Sequence, residues 1–130
     1  MFFTNKTEIT QAETTVEARA KINLTLDVTG RREDGYHTVQ MVMQSVGLHD
    51  DIGIVVTHGE KKPRGILLSC NLPYLPLDES KLAYRAAELI YAHTGTLLET
   101  CEIHIEKRIP IAAGLAGGST DAAAVLRGLN

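Results

Sequence analysis

Pro110-Ile111-Ala112-Ala113-Gly114-Leu115-Ala116-Gly117-Gly118-Ser119-Thr120 runs directly into Asp121-Ala122-Ala123-Ala124-Val125-Leu126-Arg127-Gly128-Leu129. This is a glycine-rich loop that opens a helix. Glycines let the backbone take positive φ and let a bulky anion come close to it. Ser119 or Thr120 is the expected N-cap, and the alanine run behind is strongly helix-forming. The first N–H groups of a helix have no partner inside it, and the aligned peptide dipoles leave roughly +0.5 charge there. A phosphate suits that place. The loop is not a Walker A sequence, which needs a lysine where Ser119 follows Gly118. Nor is it a dinucleotide fingerprint, because Ala116 stands where the second glycine of Gly-x-Gly belongs. A lone glycine loop also serves as a plain tight turn. The combination of glycines, Ser-Thr cap and alanine helix favours an anion site.

Upstream, Val16, Ala18, Ala20, Ile22, Leu24, Leu26 and Val28 alternate with polar residues, which predicts a half-buried strand. Lys21 and Asn23 then share its non-core face. Taken alone, both read as solvent-facing. Gly30-Arg31-Arg32-Glu33-Asp34-Gly35-Tyr36-His37 is a charged turn ending in an aromatic pair. A second strand is expected over 39–48, broken by Asp50-Asp51, and a third from Ile52. Ile66 to Cys70 predicts a fourth, and the two prolines of 71–78 make a loop. Asp78-Glu79-Ser80 signals a helix start, with an apolar stripe from Leu82 to about His93 and Gly95 as the stop. Residues 101–108 predict a fifth strand. The resulting order, four strands, helix, strand, loop, helix, is α+β rather than alternating βα units.

The 130 residues suffice for one domain with a core. The segment 1–13 reads as a loose arm and 14–130 as the domain. At 44% apolar and 22% charged, the composition is that of an ordinary soluble protein. A net charge of −3 argues against non-specific nucleic-acid binding. No apolar run reaches membrane-spanning length, and no signal or transit peptide pattern opens the chain. Cys70 and Cys101 lack metal-ligand spacing and read as reduced thiols of a cytoplasmic protein. His49 beside Asp50-Asp51 fits no metal-ligand set, and His58, His93 and His104 read as surface or edge residues. The end at Arg127-Gly128-Leu129-Asn130 comes soon after the loop, which suggests a piece of something longer.

Together, Ala20-Lys21-Ile22-Asn23-Leu24, the Asp34-Gly35-Tyr36-His37 turn and Pro110 to Thr120 resemble the GHMP kinase superfamily. The resemblance covers about residues 16–130. It implies an α+β two-layer sandwich of the GHMP N-terminal type, a mostly antiparallel sheet with helices on one face, here truncated. It implies that residues Pro110, Ile111, Ala112, Ala113, Gly114, Leu115, Ala116, Gly117, Gly118, Ser119 and Thr120 wrap the phosphates of ATP, accompanied by Mg2+. Lys107 would contact the adenine. Lys21 would be the catalytic lysine beside the γ-phosphate, with Asn23 holding substrate. The Asp-Gly-Tyr-His block points within the superfamily to a diphosphocytidyl-methylerythritol substrate of non-mevalonate isoprenoid synthesis, Tyr36 stacking on cytosine and His37 bonding its edge. Another small-alcohol kinase of the superfamily (mevalonate or homoserine type) and a non-catalytic module on the same fold are the alternatives. Two departures stand out. Lys81 replaces the family's usual asparagine before Leu82. The family's catalytic aspartate lies in a Ser-Asp-Val-Pro-like segment beyond this helix and is absent, so the missing C-terminal half is the expected partner and the piece alone is expected to be inactive.

Overall fold

The computed structural model describes residues 8–75, 77–96 and 99–130, with side chains for all of these except 77–81. Its elements are β1 (Thr10–Arg31), β2 (His37–His58), β3 (Ile66–Cys70), α1 (Leu77–Thr94), β4 (Thr100–Glu106) and α2 (Gly117–Leu129). They form one four-stranded sheet in the order β1-β2-β4-β3. The β1–β2 and β2–β4 pairs are antiparallel, and β3 lies parallel to β4. That parallel pair follows from the connection, since α1 carries the chain back over the sheet between β3 and β4. The sheet is mixed, with two of its three pairings antiparallel.

Where the sequence predicts separate second and third strands, the structure has one strand, β2, 22 residues long. Asp50 does not break it because its carboxylate is fully satisfied off the strand. It accepts the N–H groups of Arg108 (2.6 Å) and Ile109 (2.8 Å) and the Lys107 ammonium (2.8 Å). A buried carboxylate is tolerated in a strand when donors replace water. Asp51 turns outward to Arg108 at 2.6 Å.

β1 also begins earlier than the alternation suggests, since Thr10–Glu13 already pair with Val55–His58. Residues 1–7 of the expected arm lie outside the described residues. The apolar face of β1 is only half used. Ala18 and Ala20 are fully buried, but Ile22, Leu24, Leu26 and Val28 are 39–64% exposed. Beyond Lys21, β1 and β2 leave the body as a two-stranded ribbon. Irregular register at Arg19/Lys21, Asn23/Thr25 and Val28/Gly30 bends it.

Both helices cover one face of the sheet's body. Ala18, Ile52, Ile54, Cys101, Ile103 and Ile105 of the strands meet Ala83, Ala86 and Ala87 of α1 and Ala124 and Val125 of α2. The small helix residues let the helices approach the sheet and each other closely. β4 ends at Glu106, and Lys107 turns inward instead of continuing the predicted strand. No helix among the described residues is long and apolar enough to cross a membrane.

Candidate phosphate-binding site

The loop between β4 and α2 is shaped by its backbone. Ala112 (φ 57°), Gly114 (φ 71°) and Ala116 (φ 61°) are all left-handed. Two alanines there are strained by roughly 1–2 kcal/mol each, and such strain concentrates at ligand clamps. Helix α2 starts at Gly117, two residues before the expected Ser119 cap. Ala116 is the N-cap and provides no side-chain hydrogen bond. The first intrahelical bond runs from the Thr120 N–H to the Ala116 carbonyl (2.9 Å). The N–H groups of Gly117, Gly118 and Ser119 thus have neither a helical acceptor nor a side-chain cap. A helix start of that kind, next to left-handed residues, is a nest for an anion. A shallow cavity of about 200 Å³ opens here, lined by Leu82, Pro110 and the loop from Ala112 to Ser119. A larger cavity of about 340 Å³ lies at the far end of α2, between Ile54, Tyr91 and Leu129, away from any of these groups.

Lys21 reaches the loop. Its Nζ donates to the Gly114 carbonyl (3.0 Å), and its backbone N–H donates to the Leu115 carbonyl (3.2 Å). The ribbon and the loop are therefore joined at one residue, with an ammonium beside the nest. Asn23 lies two residues along β1, exposed. Tyr36 and His37 sit at the hairpin end of the ribbon. The turn before them is rigidly built: Arg32 N–H to the Tyr36 carbonyl (2.6 Å), Gly35 N–H to the Arg32 carbonyl (3.1 Å) and Tyr36 N–H to Asp34 Oδ1 (3.1 Å). Gly35 takes φ 90°. The result presents Tyr36 at 74% exposure. The structure brings Lys21 and the loop together. Tyr36 and His37 stand apart from both, ten residues along the ribbon, roughly 30 Å of strand path.

Lys107 is not where a nucleotide would meet its side chain. Its side chain is 1% exposed, and its Nζ lies 2.8 Å from Asp50 Oδ2 and 3.0 Å from Asp121 Oδ2. It runs beneath the loop: a Cβ on Gly117 would stand 2.8 Å from Lys107 Nζ. The reason is electrostatic, because two buried carboxyls need a cation more than a solvated surface does. Burial alone would raise Asp50. Hydrogen bonds from Asp121, the Ile109 amide, Lys107 and the Arg108 amide outweigh it and hold Asp50 below the usual carboxylate range. Burial alone would lower Lys107, but its bonds to Asp50 and Asp121 keep it raised and charged. Sequence reasoning missed Asp50 and Asp121 as members of this cluster. Their acidic type at helix start and mid-strand was visible; their convergence on Lys107 depends on long-range folding. Among the described residues no three His, Cys, Asp or Glu side chains form a metal-holding group.

Residues 81–130 match the GHMP kinases N terminal domain. That stretch of the chain is similar to the N-terminal domain of GHMP kinases. Over 115 residues, 88% of its length, it is 53% identical to 4-diphosphocytidyl-2-C-methyl-D-erythritol kinase of Clostridium botulinum, covering 39% of that protein. The crystal structure of a 4-(cytidine 5'-diphospho)-2C-methyl-D-erythritol kinase superposes with a TM-score of 0.68 at 40% identity, covering 89% of this chain and 39% of that one. Homoserine kinase from Cytophaga hutchinsonii shares the fold, with a TM-score of 0.59 at 18% identity, covering 100% of this chain and 36% of that one. The chain spans about two fifths of the length of the curated relatives it matches. The α+β fold with helices on one face is thus that of GHMP kinases.

Proposed function

We propose that the protein carrying this domain transfers the γ-phosphoryl group of ATP to the 2-hydroxyl of 4-diphosphocytidyl-2-C-methyl-D-erythritol, a step of non-mevalonate isoprenoid synthesis in the cytoplasm. Residues 14–130 supply part of the ATP-binding half. The observation that carries the reading is the left-handed loop with an uncapped helix start and the Lys21 ammonium bonded to its Gly114 carbonyl. The 53% identity to a named kinase of that substrate supports the choice of acceptor.

Phosphoryl transfer needs positioning and neutralised charge more than covalent help. The N–H groups of Gly117, Gly118 and Ser119 would bind phosphate oxygens. Lys21, held by the loop, would stabilise charge developing between acceptor and γ-phosphate, while Asn23 on the same strand orients the acceptor. Tyr36 would stack on cytosine, with His37 at the base edge. Lys107 shapes the floor of the site, and any adenine contact from it comes through its backbone. Bound with the nucleotide, Mg2+ would supply charge neutralisation. The phosphates themselves and the Ser119 and Thr120 hydroxyls are oxygen donors suited to it. The general base belongs to the remainder of the protein.

The test is turnover of the full-length protein with ATP and diphosphocytidyl-methylerythritol. Lys21→Ala is expected to lower kcat by about 10²–10³. Tyr36→Ala is expected to raise KM for the cytidyl substrate by roughly tenfold or more with little change in KM for ATP. The isolated 130-residue chain is expected to turn over at least a thousandfold more slowly than the full-length protein. Turnover of homoserine or mevalonate in place of the cytidyl substrate would overturn the choice of acceptor.

A further inference from the structure

We propose that Asp121 is a positioning residue for the phosphate loop, acting through Lys107 and Asp50; the proposal rests on the ATP-site reading above. The cluster ties three pieces of chain at their junction with the loop. Asp50 belongs to β2 and grips the loop entry through the N–H groups of Arg108 and Ile109. Asp121 is the fifth residue of α2, just past the first turn that follows the loop. Lys107 joins the two carboxyls, and all three side chains are at most 2% exposed. Residues 110–116 are strung between these tied ends and are mostly Ala and Gly, which have no polar side chains to fix their own geometry. The span of the loop is therefore set from below.

The two carboxyls meet through the lysine. Asp121 Oδ2 accepts from Lys107 Nζ at 3.0 Å and Asp50 Oδ2 accepts from the same ammonium at 2.8 Å, while Asp121 Oδ1 is buried and has no hydrogen-bond partner among the described residues. Without the Asp121 carboxyl the ammonium loses one of its two carboxylate partners. Its place beneath Gly117, where an added Cβ would stand 2.8 Å from Nζ, is then no longer fixed from the helix side.

The experiment compares wild type, Asp121→Asn and Asp121→Leu in the full-length protein at pH 7. It measures ATP binding by calorimetry and, without nucleotide, amide exchange of residues 111–118 beside that of the β2–β4 core. Asp121→Leu should bind ATP at least tenfold more weakly and exchange its loop amides at least tenfold faster, with core amides unchanged. Asparagine, whose carbonyl still accepts from Lys107, should restore both. Loop exchange in Asp121→Leu matching wild type would overturn the proposal, as would loop and core amides accelerated alike. If the leucine variant does not fold, Asp121→Ala is read in the same way. If wild type binds no ATP, the ATP reading fails, and loop exchange still decides the positioning role.

Discussion

Gly117 shows how little room a single residue has at this site. An added Cβ would stand 2.8 Å from Lys107 Nζ and 3.3 Å from Ile109 Cγ2. Lys107 cannot swing aside, because its ammonium is held by two buried carboxyls. Gly117→Ala is therefore expected to destabilise by about 1–3 kcal/mol and to weaken ATP binding, both read by denaturant melts with and without nucleotide. Gly114 differs. Nothing lies within 4 Å of its Cβ position, but its φ is 71°. Gly114→Ala should cost about 1–2 kcal/mol, from backbone strain alone. The buried trio also sets a pH dependence of folding. Asp121 is raised in the folded state, so folded protein holds more protons than unfolded between the ordinary carboxylate range and about pH 8. Its contribution to stability is thus complete at low pH and is lost as pH rises toward 8. Asp50, held low, contributes in the opposite sense, with stability lost as pH falls. Asp121→Asn should consequently melt higher than wild type at pH 8. The gap should narrow toward pH 5, which thermal scans across that range will measure.

At the scale of elements, the ribbon separates what the sequence reveals from what it hides. The alternation of Val16 to Val28 correctly predicts an extended strand with one apolar face. It does not reveal where that face stops being covered, because burial depends on how far α2 reaches over the sheet. Leu26 and Val28 pair with Met41 and Val39 across the ribbon and remain 54% and 64% exposed. Leu26→Ser with Val28→Thr should accordingly change unfolding free energy by less than about 0.5 kcal/mol, measured by urea titration. A larger loss would mean that the ribbon packs on something in the folded chain. The continuity of β2 was hidden for a related reason. Asp50-Asp51 carry a local strand-breaking signal, and only the donors of Lys107, Arg108 and Ile109, 57–59 residues away, reverse it. The helices α1 and α2, β3 and the glycine loop were legible because their signals are local: Gly95 as a stop, prolines bounding a loop, alanines propagating a helix. The N-cap at Ala116 was not, since a left-handed alanine contradicts its own propensity and is imposed by the loop around it.

Across the whole molecule, α2 links the core to the site. Near its start it holds Asp121 over Lys107, and its last turn presses on the sheet. There, a Cβ on Gly128 would stand 2.5 Å from Ile54 Cδ1, 3.3 Å from Val16 Cγ2 and 3.5 Å from Thr14 Cγ2. Ile54 is 2% exposed and wedged between β1 and β4, so it has no space to withdraw. Gly128→Ala is expected to lift the end of α2 and cost about 1–3 kcal/mol. Because the helix is one rigid element, part of that displacement should reach its first turn and weaken ATP binding in the full-length protein. The steric cause can be isolated. Ile54→Val removes the Cδ1 that the new methyl meets and alone costs about 0.5–1.5 kcal/mol. If the clash is what matters, Ile54→Val combined with Gly128→Ala should be more stable than the sum of the two single losses by at least about 1 kcal/mol. Additive losses in urea unfolding would instead place the cost in the helix backbone. They would sever the link between the packing of α2 on Ile54 and the shape of the loop at its other end.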